Sequence, residues 1–204
     1  MVYISIGESC AVKYQIDKHK HKIETLFFDR LITSMKSVIE ILSCNDINKI
    51  LYYDNIIRDA NNPIHQCNMS RILIKSLDKC ISIHDINPEY IDSDIFEFID
   101  KYKRRFNRII EYIMSEEHIH FIRVGYVNTG DQEKFIQTIL KINPNCKFTL
   151  VVIDNNKTNM PGISKYNKCL IIKLNIEEPL IFDWKRDYLN WESIFLDIEN
   201  NMIN

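Results

Sequence analysis

The sequence predicts an α/β fold, a single three-layer domain over residues 1–204 with a mostly parallel sheet, and three observations carry that expectation. Short β-branched and aromatic runs alternate with helix-periodic stretches along the chain. A strand pattern at 120–124, a helical pattern over 132–142 and a second apolar run at 148–153 make a βαβ unit, whose crossover joins parallel strands. At the start, one glycine, Gly7, separates the apolar run 2–6 from a helix beginning near Cys10, the tight turn by which such folds leave a strand.

The elements follow in order. Residues 2–6 read as a strand and 10–17 as a helix that stops before His19-Lys20-His21-Lys22. Thr25 to Phe28 reads as a short extended piece leading into Asp29. Leu31, Ile32, Met35, Val38, Ile39 and Leu42 recur at helical spacing and predict a helix over 30–43. Segment 46–76 is ambiguous; its apolar groups at 50–52 and 72–74 could pair as a hairpin. A strand at 80–83 opens onto His84-Asp85. Asp92 or Ser93 caps a long helix through Met114, with Phe96, Ile99, Tyr102, Phe106, Ile109, Ile110 and Ile113 as its buried face. Asp131 is the expected cap of helix 132–142; residues 168–174 read as a strand and 184–198 as a closing helix carrying Trp184 and Trp191 as core anchors.

Composition narrows the function classes. The chain has 204 residues, 46% hydrophobic and 26% charged, enough for one proper core, and 4 glycines with 5 prolines leave no room for a long flexible linker. A net charge of -2 argues against a binder of nucleic acid that neutralises phosphates. No apolar run approaches a bilayer span, and Glu8 and Lys13 interrupt the N-terminal stretch that a secretory signal would need. Six cysteines without such a signal read as reduced thiols, so the expected setting is cytoplasmic, the host cytoplasm if the protein is viral. Histidines two apart at 19 and 21, and at 118 and 120, lack the paired short spacings of a zinc site, so neither metal nor cofactor is expected.

Open parallel sheets bind ligands beyond the carboxyl ends of their strands. Ser9 and Cys10, His84 and Asp85, Asn128 and Asp131, and Asp154 with Asn155 all fall at such ends. A cysteine at a helix N-terminus after a glycine turn resembles a nucleophile elbow, and the helix end favours thiolate over thiol. The chemistry that follows is acyl transfer: Cys10 attacks a carbonyl, His84 moves the proton, and Asp29, Asp85 or Asn128 orients the imidazole. The competing reading makes Cys10 a small buried hydrophobe. Arg123 lies inside an apolar strand and must be paired if buried, with Asp29 or Asp85 as expected partner in a polar cluster beside Cys10. The basic run Lys101, Lys103, Arg104, Arg105, Arg108 reads as a solvated helix face, or as a clamp if it borders the site.

At these residues the chain resembles a family of papain-like cysteine peptidases found in bacteria and large DNA viruses. The likeness rests on Ser5-Ile6-Gly7-Glu8-Ser9-Cys10, on Tyr14-Gln15, on Phe28-Asp29-Arg30-Leu31-Ile32-Thr33-Ser34, on His84-Asp85 with Tyr102-Lys103-Arg104-Arg105-Phe106, and on 119–123. It covers roughly residues 3–125, and departs from the family where Arg30 stands in place of an aromatic residue after Phe-Asp. The resemblance implies Cys10 as nucleophile and His84 as base. A papain-like domain packs its cysteine helix on an antiparallel sheet, whereas here a strand leads straight into Cys10, so the local pattern governs the expected fold class.

Two function classes follow. One is a cysteine-dependent hydrolase acting on a peptide or small acyl substrate, with Gly7, Ser9, Arg104 and Arg123 as substrate contacts. The other is a catalytically silent α/β interaction module, such as a viral protein that binds a host partner. Neither needs a membrane or nucleic acid.

Overall fold

The computed structural model describes residues 1–21, 24–59, 71–82, 85, 93–154, 162–166, 169–176 and 183–200. In chain order the elements are β1 (Val2–Ser5), α1 (Ala11–Lys20), β2 (Leu31–Thr33), α2 (Met35–Ser43), β3 (Ile56–Asp59), β4 (Arg71–Ile74), β5 (Cys80–Ser82), α3 (Ser93–Met114), β6 (His118–Val124), α4 (Thr129–Ile142), β7 (Lys147–Asp154), β8 (Gly162–Tyr166), β9 (Cys169–Asn175) and α5 (Trp191–Asn200). Two short 3-10 turns, Ile47–Lys49 and Tyr53–Asn55, lie between α2 and β3.

The larger sheet has the order β1-β6-β7-β9-β8, parallel except for β8, which runs antiparallel along β9. Its strands β1, β6 and β7 are buried on both faces, as parallel sheets require. Side chains alternate between the faces. Val2, Ile4, Ile119, Phe121, Phe148, Leu150 and Val152 join the core formed with α2, α3 and α4. Tyr3, Ile122, Val124, Val151 and Ile153 meet Val12 and Ile16 of α1 and Trp191, Phe195 and Ile198 of α5. Helices on both sides of a mostly parallel sheet match the expected fold class. A smaller antiparallel sheet, β2-β5-β4-β3, shares the first core through Leu31, Ile56, Ile72, Ile74 and Cys80.

Several elements differ from the sequence expectation for identifiable reasons. The helix expected from residue 30 begins at Met35, because Leu31–Thr33 pairs with Cys80–Ser82 and Ser34 caps the helix, its hydroxyl accepting the Ser37 N–H at 3.1 Å. The hairpin forms, but its first arm is 56–59 and not 50–52. Asn128 caps α4 in place of Asp131, whose own N–H it accepts at 2.9 Å. The long helix α3 buries Ile99, Tyr102, Phe106, Ile109 and Ile113 as expected, with Ile110 half-buried, but its first turn faces the core through Ile95 and Phe98 and leaves Phe96 exposed. Strand β8 was not expected, since its residues face solvent and carry no alternating signal. The closing helix starts only at Trp191, so Trp184 sits in the turn before it, exposed, and is no core anchor. Asp92 lies outside the described residues.

Candidate active site at the end of the first strand

Strand β1 ends in a sharp turn. The Ile6 N–H still donates to the Ile122 carbonyl at 3.0 Å, after which Gly7 and Glu8 both adopt left-handed backbone, with φ of 86° and 69°. Gly7 has no alternative: a Cβ there would fall 1.6 Å from Thr33 Oγ1. Gly125, at φ 113°, ends β6 alongside, and a Cβ on it would lie 2.9 Å from Glu8 Cγ. A left-handed glutamate is strained, and such residues persist only where their surroundings fix them.

Arg123 does the fixing. It is 1% exposed, yet its guanidinium donates to the Ile6 carbonyl at 2.8 Å, to the Thr33 carbonyl at 2.9 Å and to Glu8 Oε2 at 2.5 Å. Lys79 Nζ adds a second cation 3.6 Å from Glu8. The carboxylate on Arg123 is therefore that of Glu8, and not Asp29 or Asp85 as the sequence suggested. The left-handed turn folds Glu8 back over the strand end, a placement that linear spacing does not show. Buried as it is, Arg123 lies beneath the turn rather than among surface groups that could meet a substrate.

Cys10 follows at the head of α1, with φ -74° and ψ -5°, its carbonyl accepting the Tyr14 N–H at 3.0 Å. The thiol is half-buried. Burial pushes its pKa above the ordinary thiol value, against the pull of its own backbone N–H and of the Arg30 charge. The expected thiolate is thus corrected: desolvation outweighs the helix end. Ser9 Oγ, Ser5 Oγ, Thr33 Oγ1 and Arg123 Nε are buried around this turn with no hydrogen-bond partner among the described residues.

Asp29 and Asp85 serve separate purposes. Asp29 is buried, accepts the Leu26 N–H at 2.6 Å and lies 3.9 Å from Nζ of the buried Lys13, which also binds Asp17 and the Glu24 carbonyl. It ties the turn before β2 to α1. Asp85 accepts the hydroxyls of Ser82 and Tyr102 and the ammonium of Lys101 at 2.7 Å, with Arg105 3.9 Å away. Burial works to raise its pKa, but these hydrogen bonds prevail and hold it low. It fastens the end of β5 to α3. His84 itself, like Asn155, lies outside the described residues. Ser82 pairs with Leu31, the residue after Arg30, whose charge reaches Cys10.

The remaining candidates are placed as follows. Asn128 spends its side chain on the α4 cap, accepting from Asp131 N and donating to Asp131 Oδ2 at 2.6 Å. Arg104 is exposed on α3, where it borders a depression of about 270 Å³ with Glu97, Asp100 and Lys101. Away from the strand ends, His120 is fully buried, stacked 4.9 Å from Tyr3, with neither ring nitrogen bonded among the described residues; burial above all holds it neutral, with a pKa of about 3. Among the described residues, no three His, Cys, Asp or Glu side chains group to hold a metal, and no helix is long and apolar enough to cross a membrane.

Comparison with known proteins bears on this geometry. The pattern of a family described as "Putative papain-like cysteine peptidase" matches residues 1–157. An uncharacterized protein of Acanthamoeba polyphaga mimivirus is 24% identical over 225 residues, spanning 96% of this chain and 97% of that protein. No solved structure matches.

Proposed function

The chain belongs to this family of papain-like cysteine peptidases, and from that premise we propose that it is a thiol-dependent hydrolase of a peptide or small acyl bond, with Cys10 as nucleophile and His84 as general base. The observation that carries the reading is the Arg123-locked turn, which delivers a half-exposed thiol to the head of α1 in the field of Arg30. By contrast, Cys80 and Cys169 are buried with pKa values pushed up to about 12.

Because burial holds the Cys10 proton, the reaction needs a base. The imidazole of His84 takes the Sγ proton as sulfur bonds to the substrate carbonyl carbon, and the C=O pair moves onto oxygen. Collapse of that adduct expels the leaving amine or alkoxide, which receives the proton back from the imidazolium. Water, deprotonated by His84, then cleaves the thioester and restores the thiol. The Ser9 hydroxyl, which has no hydrogen-bond partner among the described residues, and the N–H groups at the head of α1 are the donors offered to the oxyanion. Asp85 is a positioning residue, anchoring the segment that carries His84, and Gly7 and Arg123 hold the turn. Asp29 binds α1 to the turn before β2.

The test is alkylation by iodoacetamide, read thiol by thiol by mass spectrometry across pH. Cys10 should react about tenfold or more faster at pH 7 than half-buried Cys44, and Cys10→Ala should abolish that fast phase while leaving the fold intact. His84→Ala should move the profile of Cys10 to higher pH, toward the raised position that burial imposes against its backbone N–H and Arg30. A wild-type Cys10 no faster than Cys44 overturns the hydrolase and assigns the chain to the silent-module class, which the raised thiol favours.

A further inference from the structure

We infer that Tyr14 and Trp184 form the wall of a substrate subsite beside Cys10, built for a large aromatic side chain of a peptide. The inference rests on the reading of Cys10 as nucleophile and adds to it the class of substrate.

The first ground is the surface of α1. Between residues 10 and 16, only Cys10 and Tyr14 are half-exposed; Ala11, Val12, Lys13, Gln15 and Ile16 are buried. Positions four apart lie on one helix face, one turn from each other. The accessible seam at the head of α1 therefore consists of the thiol and the phenol.

The second ground is what stands against that seam. The Trp184 ring lies 5.5 Å from the Tyr14 ring at 64°, and the tryptophan is 46% exposed. The segment that presents it is firmly held. Gln15, fully buried, gives its amide to the Lys185 carbonyl at 2.7 Å and to Asp187 Oδ1 at 2.8 Å. Asp183 accepts the N–H groups of Lys185 at 3.0 Å and Asp187 at 2.8 Å, and Trp191 Nε1 donates to the Arg186 carbonyl at 2.8 Å. So much anchoring for a turn whose largest side chain stays out of the core calls for a use at the surface.

The third ground is charge. Lys185 Nζ sits 5.4 Å from the Tyr14 ring centre and 5.7 Å from that of Trp184. The two rings thus present apolar faces beside a cation that can also cover an incoming ring, which selects aromatic over aliphatic groups. Reach is consistent with a peptide. One helical turn of about 5.4 Å and the ring spacing together correspond to roughly three residues of extended chain from the scissile carbonyl.

The experiment compares acetyl-Phe-Gly-Gly and acetyl-Gly-Gly-Gly chloromethyl ketones as alkylating probes of Cys10, which place the varied side chain three residues from the reacting carbonyl, each rate divided by that of the same probe with glutathione. The wild-type protein should favour the Phe probe by about tenfold or more, Trp184→Ala should bring the ratio to within about twofold, and Trp184→Phe should keep most of it. The iodoacetamide rate at Cys10 should be the same in all three. In parallel, N-acetylphenylalaninamide should change the tryptophan emission of the wild type and not of Trp184→Ala. An equal ratio for the two probes in the wild type, or an unchanged preference in Trp184→Ala, overturns the subsite. If iodoacetamide finds Cys10 inert, the hydrolase reading fails separately, and the emission titration decides the subsite: Trp184-dependent binding upholds it, and its absence overturns it.

Discussion

Without the Arg123 guanidinium, the Ile6 and Thr33 carbonyls and the Glu8 carboxylate would all lose a donor at once. Breaking a buried ionic network from one side costs about 3–5 kcal/mol, so Arg123→Met should lower the unfolding free energy obtained from urea curves by that measure. Glu8→Gln should cost less, about 1–3 kcal/mol: the amide oxygen still accepts from Arg123 and Lys79 loses only an exposed contact, but the buried guanidinium loses the Glu8 carboxylate. Similar losses for the two would show that Arg123 does not hold the turn through the carbonyls. His120 makes a second prediction at this scale. Its pKa of about 3 against 6.5 in an unfolded chain means that the unfolded state alone binds the proton between those values, so the stability it carries is lost as pH falls through that window. His120→Phe keeps the stacking on Tyr3 and removes the titration; below pH 6.5 the variant should gain up to about 1.4 kcal/mol per pH unit over wild type in acid-unfolding curves. Gly7, Cys10 and the burial of Arg123 were legible from residue type beside an apolar run. The Glu8 partnership was not, since it depends on two left-handed residues in succession that only the fold imposes.

At the scale of elements, α2 illustrates where local pattern stops being informative. Leu31 and Thr33 fit a helical repeat as well as a strand, and pairing with β5, some fifty residues away, decides between them. The decision leaves Ser34 as the cap, and its hydroxyl also contacts Ser37 Oγ at 3.0 Å, which in turn accepts the Lys79 N–H at 3.0 Å. Ser34→Ala should therefore cost about 1 kcal/mol by thermal or urea unfolding, the usual value of an N-cap. No loss at all would mean that water replaces the hydroxyl at no cost. Trp184 was misread for a related reason. Trp184 and Trp191 lie seven apart, which is two helical turns, but the Asp183–Lys185–Asp187 turn takes the first out of the helix.

For the whole molecule, alternation of strands and helices was the reliable signal, because a two-sided parallel sheet needs apolar strands and a crossover between each pair. The antiparallel sheet was less legible, as its strands are three or four residues long. The family's name describes residue types; in this chain the cysteine follows a parallel strand, and that placement was readable from the glycine turn. The core also sets an alkaline limit. Cys80 and Cys169 have pKa values of about 12, whereas an unfolded thiol titrates near 9.0, so above that value the unfolded state sheds protons that the folded state keeps. Stability should be full below pH 9 and fall from there by up to about 1.4 kcal/mol per pH unit per thiol. Cys80→Ala should flatten the alkaline limb of the unfolding curve, at the expense of a small cavity at neutral pH.

Strand β1 pairs with β6 across 117 positions, from Val2 to Ile119. The turn that presents Cys10 is therefore closed by a side chain made more than a hundred residues later. At a synthesis rate of about 5–20 residues per second, a ribosome adds Arg123 roughly 6–23 s after Cys10. During that interval the thiol belongs to a growing chain with no fixed turn, and reacts like any cysteine in an unfolded peptide. The fixed turn after the first strand thus waits on translation of the sixth, and a chain cut short before residue 123 carries the cysteine without the guanidinium that holds the turn before it.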